Sequence, residues 1–196
     1  MAKTLLLDVM STLIYDPFYV EMPAFFGMTL GQLLECKHPD AWQRFELGEI
    51  DEQSFLDSFF RDGRSYDQAA FKAHVTSAYR WLDGMRELTL ELAARGTALH
   101  ALSNYPSWYQ QIEQRTQLAE TVPWSFVSCH MGVRKPDSEA FLLPARTLGL
   151  KPEECLLVDD QERNCRAAQA LGMDAIRFTD AESLRQELRA RDLLDA

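Results

Sequence analysis

Nowhere in this sequence do about 18 apolar residues follow one another, so no segment is expected to span a membrane. Cysteine is scarce. The four present (Cys36, Cys129, Cys155, Cys165) show no paired metal-binding spacing, and free thiols in a reducing compartment are the simplest expectation. Positive charge is also short, with 20 lysines and arginines against 30 aspartates and glutamates and a net charge of −10. A duplex nucleic-acid partner wants a basic face and is not expected. An anionic small substrate survives this argument, because a bound cation and a lysine can reverse the sign inside a cleft. No internal repeat or low-complexity tract is found. Strand-like sequence begins within the first few residues, so no signal or transit peptide is expected ahead of it.

What is present suits a globular α/β protein. The chain has 196 residues, 46% hydrophobic and 26% charged, enough for one sizeable core or a core plus a small insert. Thr4-Leu5-Leu6-Leu7 runs straight into Asp8, which predicts a strand buried on both faces with a carboxylate at its carboxyl end. Asp16-Pro17 breaks the chain, and short helices are expected next over 30–36, 41–47 (N-capped by Asp40), 52–60 (led by Asp51) and 68–82. Strand and helix then alternate. Helices are expected over 85–94, 107–117, 139–148, 164–171 and 181–189, and strands over 97–102, 124–129, 155–158 and 175–178. The pattern predicts a three-layer, Rossmann-like parallel sheet with right-handed crossovers. The expected division is a core of 1–16 and 83–196, with a small all-helical cap of 17–82 inserted after the first strand.

The polar residues at the strand ends come in a particular order: Asp8, then Ser103-Asn104, then Lys135 in a following loop, then Asp159-Asp160 with Asn164. Each has a bland explanation, since Ser-Asn favours turns, a lysine before proline faces solvent and paired aspartates begin helices. Together, and in this order, they resemble the four-motif signature of the haloacid dehalogenase-like hydrolase superfamily, along the whole chain. The chemistry agrees. Carboxylates such as Asp8 and Asp160, brought from separate strands, repel unless a hard cation such as Mg²⁺ joins them. A nearby ammonium from Lys135 would neutralise remaining charge, and Ser103 and Asn104 can donate to the nonbridging oxygens of a phosphate. The resemblance implies that Asp8 is the nucleophile, forming an aspartyl-phosphate that water hydrolyses. It further implies that the Met10 backbone carbonyl and Asp160 ligate the metal, while Asp159 and Asn164 position Lys135, the metal or its waters.

One departure bears on function. Phosphatases of this superfamily usually carry a second aspartate two residues after the nucleophile, where this chain has Met10. That aspartate protonates the leaving alkoxide, a service worth about 10²–10⁴ in rate, and a thioether has no proton to give. Asp16, Glu21 or His130 could serve instead. The reaction could also be a metal-independent 2-haloacid dehalogenation, although paired Asp159-Asp160 would then have nothing to coordinate; or the chain could be a weakened phospholigand-binding scaffold. Further runs, Pro23-Ala24-Phe25-Phe26-Gly27-Met28, Leu34-Glu35-Cys36-Lys37-His38-Pro39 and Asn104-Tyr105-Pro106 with Trp108-Tyr109, resemble the plant and algal plastid-type flavin mononucleotide hydrolases. This implies a small phosphate ester, flavin mononucleotide, as substrate. The location is then cytoplasmic, or plastid stroma if a transit peptide has been removed. Monomer and homodimer are equally compatible. Most aromatics of 17–82 should build their own core, and Tyr105 and Trp108 are expected nearest the substrate. His100 is expected to be a packed core residue.

Overall fold

The computed structural model of the protein describes residues 4–195; residues 1–3 and 196, counted above with the core segments, lie outside the described residues. Five strands, β1 (Thr4–Leu7), β2 (Leu99–Ser103), β3 (Phe126–Val127), β4 (Cys155–Asp159) and β5 (Asp174–Arg177), pair in parallel in the order β3-β2-β1-β4-β5. Leu5, Leu6 and Leu7 are all buried, although a strand turns successive side chains to opposite faces. Leu5 and Leu7 join one apolar cluster and Leu6 another, so β1 is covered on both sides, as its unbroken apolar run requires. In β4, Leu156 and Val158 face the first cluster and Cys155 and Leu157 the second. Because the chain builds β2 and β3 on one side of β1 and then crosses to β4 and β5 on the other, the topological switch point falls at the carboxyl ends of β1 and β4.

Six helices separate β1 from β2: α1 (Glu21–Phe25), α2 (Leu30–Cys36), α3 (Ala41–Glu46), α4 (Glu52–Asp57), α5 (Gln68–Ser77) and α6 (Met85–Ala94). The rest of the chain adds α7 (Tyr109–Thr116), α8 (Ser128–Met131), α9 (Glu139–Thr147), α10 (Glu162–Ala170) and α11 (Ala181–Arg189). Phe141 and Ala145 of α9 and Cys165 and Ala168 of α10 pack on the Leu6 face. Leu88 and Leu92 of α6 and Leu184 and Leu188 of α11 pack on the other, in an apolar cluster that continues without a gap into α2–α5. No helix among the described residues is long and apolar enough to cross a membrane.

Several expected elements are altered by tertiary contacts. The helix expected over 68–82 ends at Ser77, because residues 80–82 pair with the segment after β1: Tyr15 N–H bonds the Arg80 carbonyl and Leu82 N–H the Leu13 carbonyl, both at 2.9 Å. The strand expected over 124–129 shrinks to two residues. Ser128 turns the chain into α8, its hydroxyl bonding the Glu46 carbonyl at 2.6 Å and accepting the Tyr105 N–H at 3.0 Å. Asp40 does not cap α3 with its side chain; the His38 Nδ1 accepts the N–H groups of Asp40 and Ala41 at 3.2 Å instead. Asp51 does cap α4, through the Ser54 N–H at 2.8 Å. The short α1 was not expected, since it has no side-chain N-cap to announce it.

Candidate active site

Asp8 leaves β1 beside β4, its N–H bonded to the Val158 carbonyl at 2.9 Å. A tight turn follows at once. Leu13 and Ile14 both donate to the Val9 carbonyl, and Ser11 takes a left-handed φ of 60°. That turn brings the buried Thr12 hydroxyl back onto Asp8 Oδ2 at 3.0 Å. Thr12 was not foreseen; the signal available was a hydroxyl residue four places after a strand-end aspartate.

Lys135 lies 127 residues further on, yet its Nζ meets Asp8 Oδ1, Asp159 Oδ2 and the Leu102 carbonyl, each at 2.7 Å. The side chain is 1% exposed, so its three protons are all used out of water. Burial alone would lower its pKa, but Asp8 and Asp159 more than offset this and hold it above the ordinary lysine value. Asn104 fixes the loop that carries Lys135: its Nδ2 donates to the Lys135 carbonyl and its Oδ1 accepts the Lys135 N–H, both at 2.8 Å. The amide expected to face a phosphate is thus largely engaged, with one N–H left over.

Asp159 is fully buried and reads both ways at once. Its Oδ2 holds Lys135, and its Oδ1 accepts the Gln161 N–H at 2.9 Å where α10 begins, with Asn164 Nδ2 bonding both oxygens at 3.0 and 3.1 Å. Carboxylate oxygens of Asp8, Asp159 and Asp160 lie within 4.8 Å of one another. Burial pushes the Asp8 carboxyl up to about 7, against the pull of Lys135 and with Asp159 and Asp160 pushing the same way. Burial also raises Asp160. Two buried oxygens lack a partner among the described residues, Ser103 Oγ and Asn164 Oδ1. Crowded hard oxygen donors, a single shared ammonium and an orphaned acceptor fit a small divalent cation.

The remaining surroundings form two adjoining cavities. A polar one of about 170 Å³ takes in Asp8, Lys135, Asp160, Asn164, Ser11, Arg134 and Arg163. A more apolar one of about 200 Å³ is walled by Phe18, Tyr19, Trp42 and Tyr105, with Lys37 at its edge. Met10, Asp16, Tyr19, Glu46 and Asn104 border both. Glu46 ties the two walls together, accepting from Trp42 Nε1 at 2.7 Å and from Arg134 at 3.0 Å. Neither Glu46 nor Arg134 was foreseen as a site residue. Glu46 carries no local signal on its helix, whereas Arg134 directly precedes Lys135.

Trp108, expected beside the substrate, lines neither cavity. It is 1% exposed, packs among Trp42, Phe45 and Phe55, and donates its Nε1–H to Glu52 at 2.6 Å. Tyr105 does face the apolar cavity, but its hydroxyl is bonded to that of Tyr79 at 2.8 Å. His130 bonds the Tyr109 hydroxyl and borders a separate cavity, and both Glu21 oxygens accept from the Tyr15 hydroxyl. His100 is half-buried on β2, bonded to Ser125 Oγ at 2.7 Å.

Comparison with known proteins places this arrangement. Residues 3–172 match the family described as haloacid dehalogenase-like hydrolases. The chain is similar to chloroplastic flavin mononucleotide hydrolase 1 of Arabidopsis thaliana, 46% identical over 94% of this chain and 75% of that protein. Its fold is similar to that of a haloacid dehalogenase family enzyme of Bacteroides thetaiotaomicron solved as a magnesium complex, with a TM-score of 0.75 at 23% identity, covering 95% of this chain and 98% of that one. The L-2-haloacid dehalogenase of Xanthobacter autotrophicus shares the fold at a TM-score of 0.66 and 19% identity, over 100% and 85% of the two chains.

Proposed function

From the premise that the chain belongs to the haloacid dehalogenase-like hydrolases, we propose that it hydrolyses a phosphate monoester whose alcohol carries a flat aromatic ring, flavin mononucleotide above all. The observation that carries this is the pair of adjoining cavities: a charged one around Asp8 and Lys135 for the phosphate, sharing a border with one walled by Phe18, Tyr19, Trp42 and Tyr105 for the ring. The name of the Arabidopsis relative supports both the substrate and a plastid location. In this reading residues 17–82, with α1–α5, act as a cap that supplies Phe18, Tyr19 and Trp42 to the aromatic walls, while Tyr105 comes from the core.

Asp8 would attack phosphorus and carry the phosphoryl group as an aspartyl-phosphate. Lys135, fixed by Asn104 and Asp159, holds the Asp8 carboxylate in place and offsets its charge. The left-over N–H of Asn104, with Arg134 and Arg163 at the cavity wall, would meet phosphate oxygens. Asp8, the Met10 carbonyl and Asp160 would hold Mg²⁺, which when bound neutralises charge on the phosphoryl oxygens and returns Asp8 to its ionised form. A dehalogenase would release a halide that needs no cation, leaving the Asp8–Asp159–Asp160 cluster without a purpose.

The test is phosphate release from flavin mononucleotide with Mg²⁺, repeated with chelator and with Asp8→Asn. Riboflavin and phosphate should appear together, and both the chelator and the substitution should remove them. Halide release from a 2-halo acid, insensitive to chelator, would sink this reading in favour of the dehalogenase.

A further inference from the structure

The position that should supply a proton holds Met10, yet an acid stands close by in space. Asp16 borders both cavities, at the junction where the bond between phosphate and alcohol must lie if each half of an ester occupies its own compartment. Asp160 belongs to the acidic cluster with Asp8 and Asp159, and the other carboxylate at the junction, Glu46, has both oxygens engaged, one by Trp42 and one by Arg134. Asp16 differs. Its Oδ1 accepts the Phe18 N–H at 2.9 Å, which fixes the carboxyl, while no partner for Oδ2 is found among the described residues. Glu21 and His130 border neither cavity.

We propose that Asp16 performs the acid–base work that Met10 cannot, protonating the leaving oxygen and then activating water. This rests on the phosphomonoesterase reading above. As the Asp8 oxygen forms its bond to phosphorus, the bond from phosphorus to the alcohol oxygen breaks, and the Asp16 proton passes to that oxygen. Water then attacks the aspartyl-phosphate and gives a proton to the Asp16 carboxylate as the bond from Asp8 to phosphorus breaks. The cycle returns both residues to their starting forms. Burial keeps the Asp16 carboxyl up at about 6, with the Phe18 N–H pulling it down and Asp160 pushing it up, which suits a group that must both give and take a proton.

The experiment compares two esters in Asp16→Asn. Flavin mononucleotide has an alkoxide leaving group that needs a proton, whereas p-nitrophenyl phosphate releases a phenolate that does not. Riboflavin release should fall by about 10²–10⁴, while the pre-steady-state burst of p-nitrophenolate survives and confirms that the variant is folded. Adding Met10→Asp to Asp16→Asn should restore part of the lost riboflavin release. Asp16→Ser serves as a second variant with the same expectation. Equal losses in the first step with both esters, or undiminished riboflavin release, would overturn the role of Asp16 while leaving the phosphatase reading intact. A wild-type protein that releases phosphate from neither ester would overturn both.

Discussion

Lys135→Met is the sharpest probe of how this site is held together. The ammonium makes three 2.7 Å hydrogen bonds, to Asp8, Asp159 and the Leu102 carbonyl, at 1% exposure. Methionine keeps much of the stem and removes only the charge and donors, leaving two carboxylates buried against each other. Removing one partner of a buried ion pair costs about 3–5 kcal/mol, so in a domain of this size the melting temperature should drop by roughly 6–20 °C. The sign with pH follows from Asp8. Lys135 pulls that carboxyl down, and without it burial and the neighbouring aspartates act upward unopposed. A carboxyl raised above its free value binds a proton on folding, so its contribution is present at low pH and lost as pH rises through the folded value. The penalty should therefore be smallest near pH 5 and largest near pH 8. Thermal melts at both pH values, with urea titrations for the free energies, make the measurement. Adding Asp159→Asn to Lys135→Met removes one stranded charge and should recover about 0.5–3 kcal/mol relative to the sum of the single losses. Strictly additive losses, or a penalty independent of pH, would refute the claim that stranded charge is what destabilises the variant.

Two other expectations are simpler. In metal-free protein Asp8 lies at about 7 and Asp16 at about 6, both raised mainly by burial, so their contribution to stability falls as pH rises through the window from 4 to 7. In the proposed reading Mg²⁺ would bind the ionised cluster, so its stabilisation should be slight at pH 5 and full above 7, reaching about 2.7 kcal/mol at a hundredfold excess over Kd; a pH-independent shift in melting temperature would place the ion elsewhere. Trp108→Phe keeps a ring in the core but deletes the donor to Glu52, and should cost about 1 kcal/mol in urea unfolding while leaving unchanged the KM for flavin mononucleotide as the proposed substrate; a raised KM would place Trp108 against that substrate.

The run Thr4-Leu5-Leu6-Leu7 and its counterpart Cys155-Leu156-Leu157-Val158 identify a sheet covered on both faces, because only such a strand has no polar side to show. Helices alternating with those runs force the strands parallel, and parallel strands place every carboxyl end at one rim. That is why Asp8, Lys135, Asp159, Asp160 and Asn164 could be named together from sequence order and are found together in space. Local chemistry also announced Asp51 as a cap, and the sequence already contained the absence of an acid at Met10.

Tertiary structure decided what depends on contacts between distant segments. The pairing of residues 80–82 with 13–15 cut a helix short against its own periodicity. Ser128, bonded to Glu46 and Tyr105, ended a strand that its apolar residues would have continued. An aromatic side chain gives no hint of which way it faces, so Trp108 went to the core and Trp42 to the cavity wall. The sequence offers Asp16 only as one of three possible acids beside Glu21 and His130; that it borders both cavities with Glu46, and that Arg134 meets Glu46 there, follows only from the packing of distant segments over the end of the sheet. Periodicity and strand-end chemistry are properties of neighbours in the chain; which free oxygen meets which cavity is a property of the packed molecule alone.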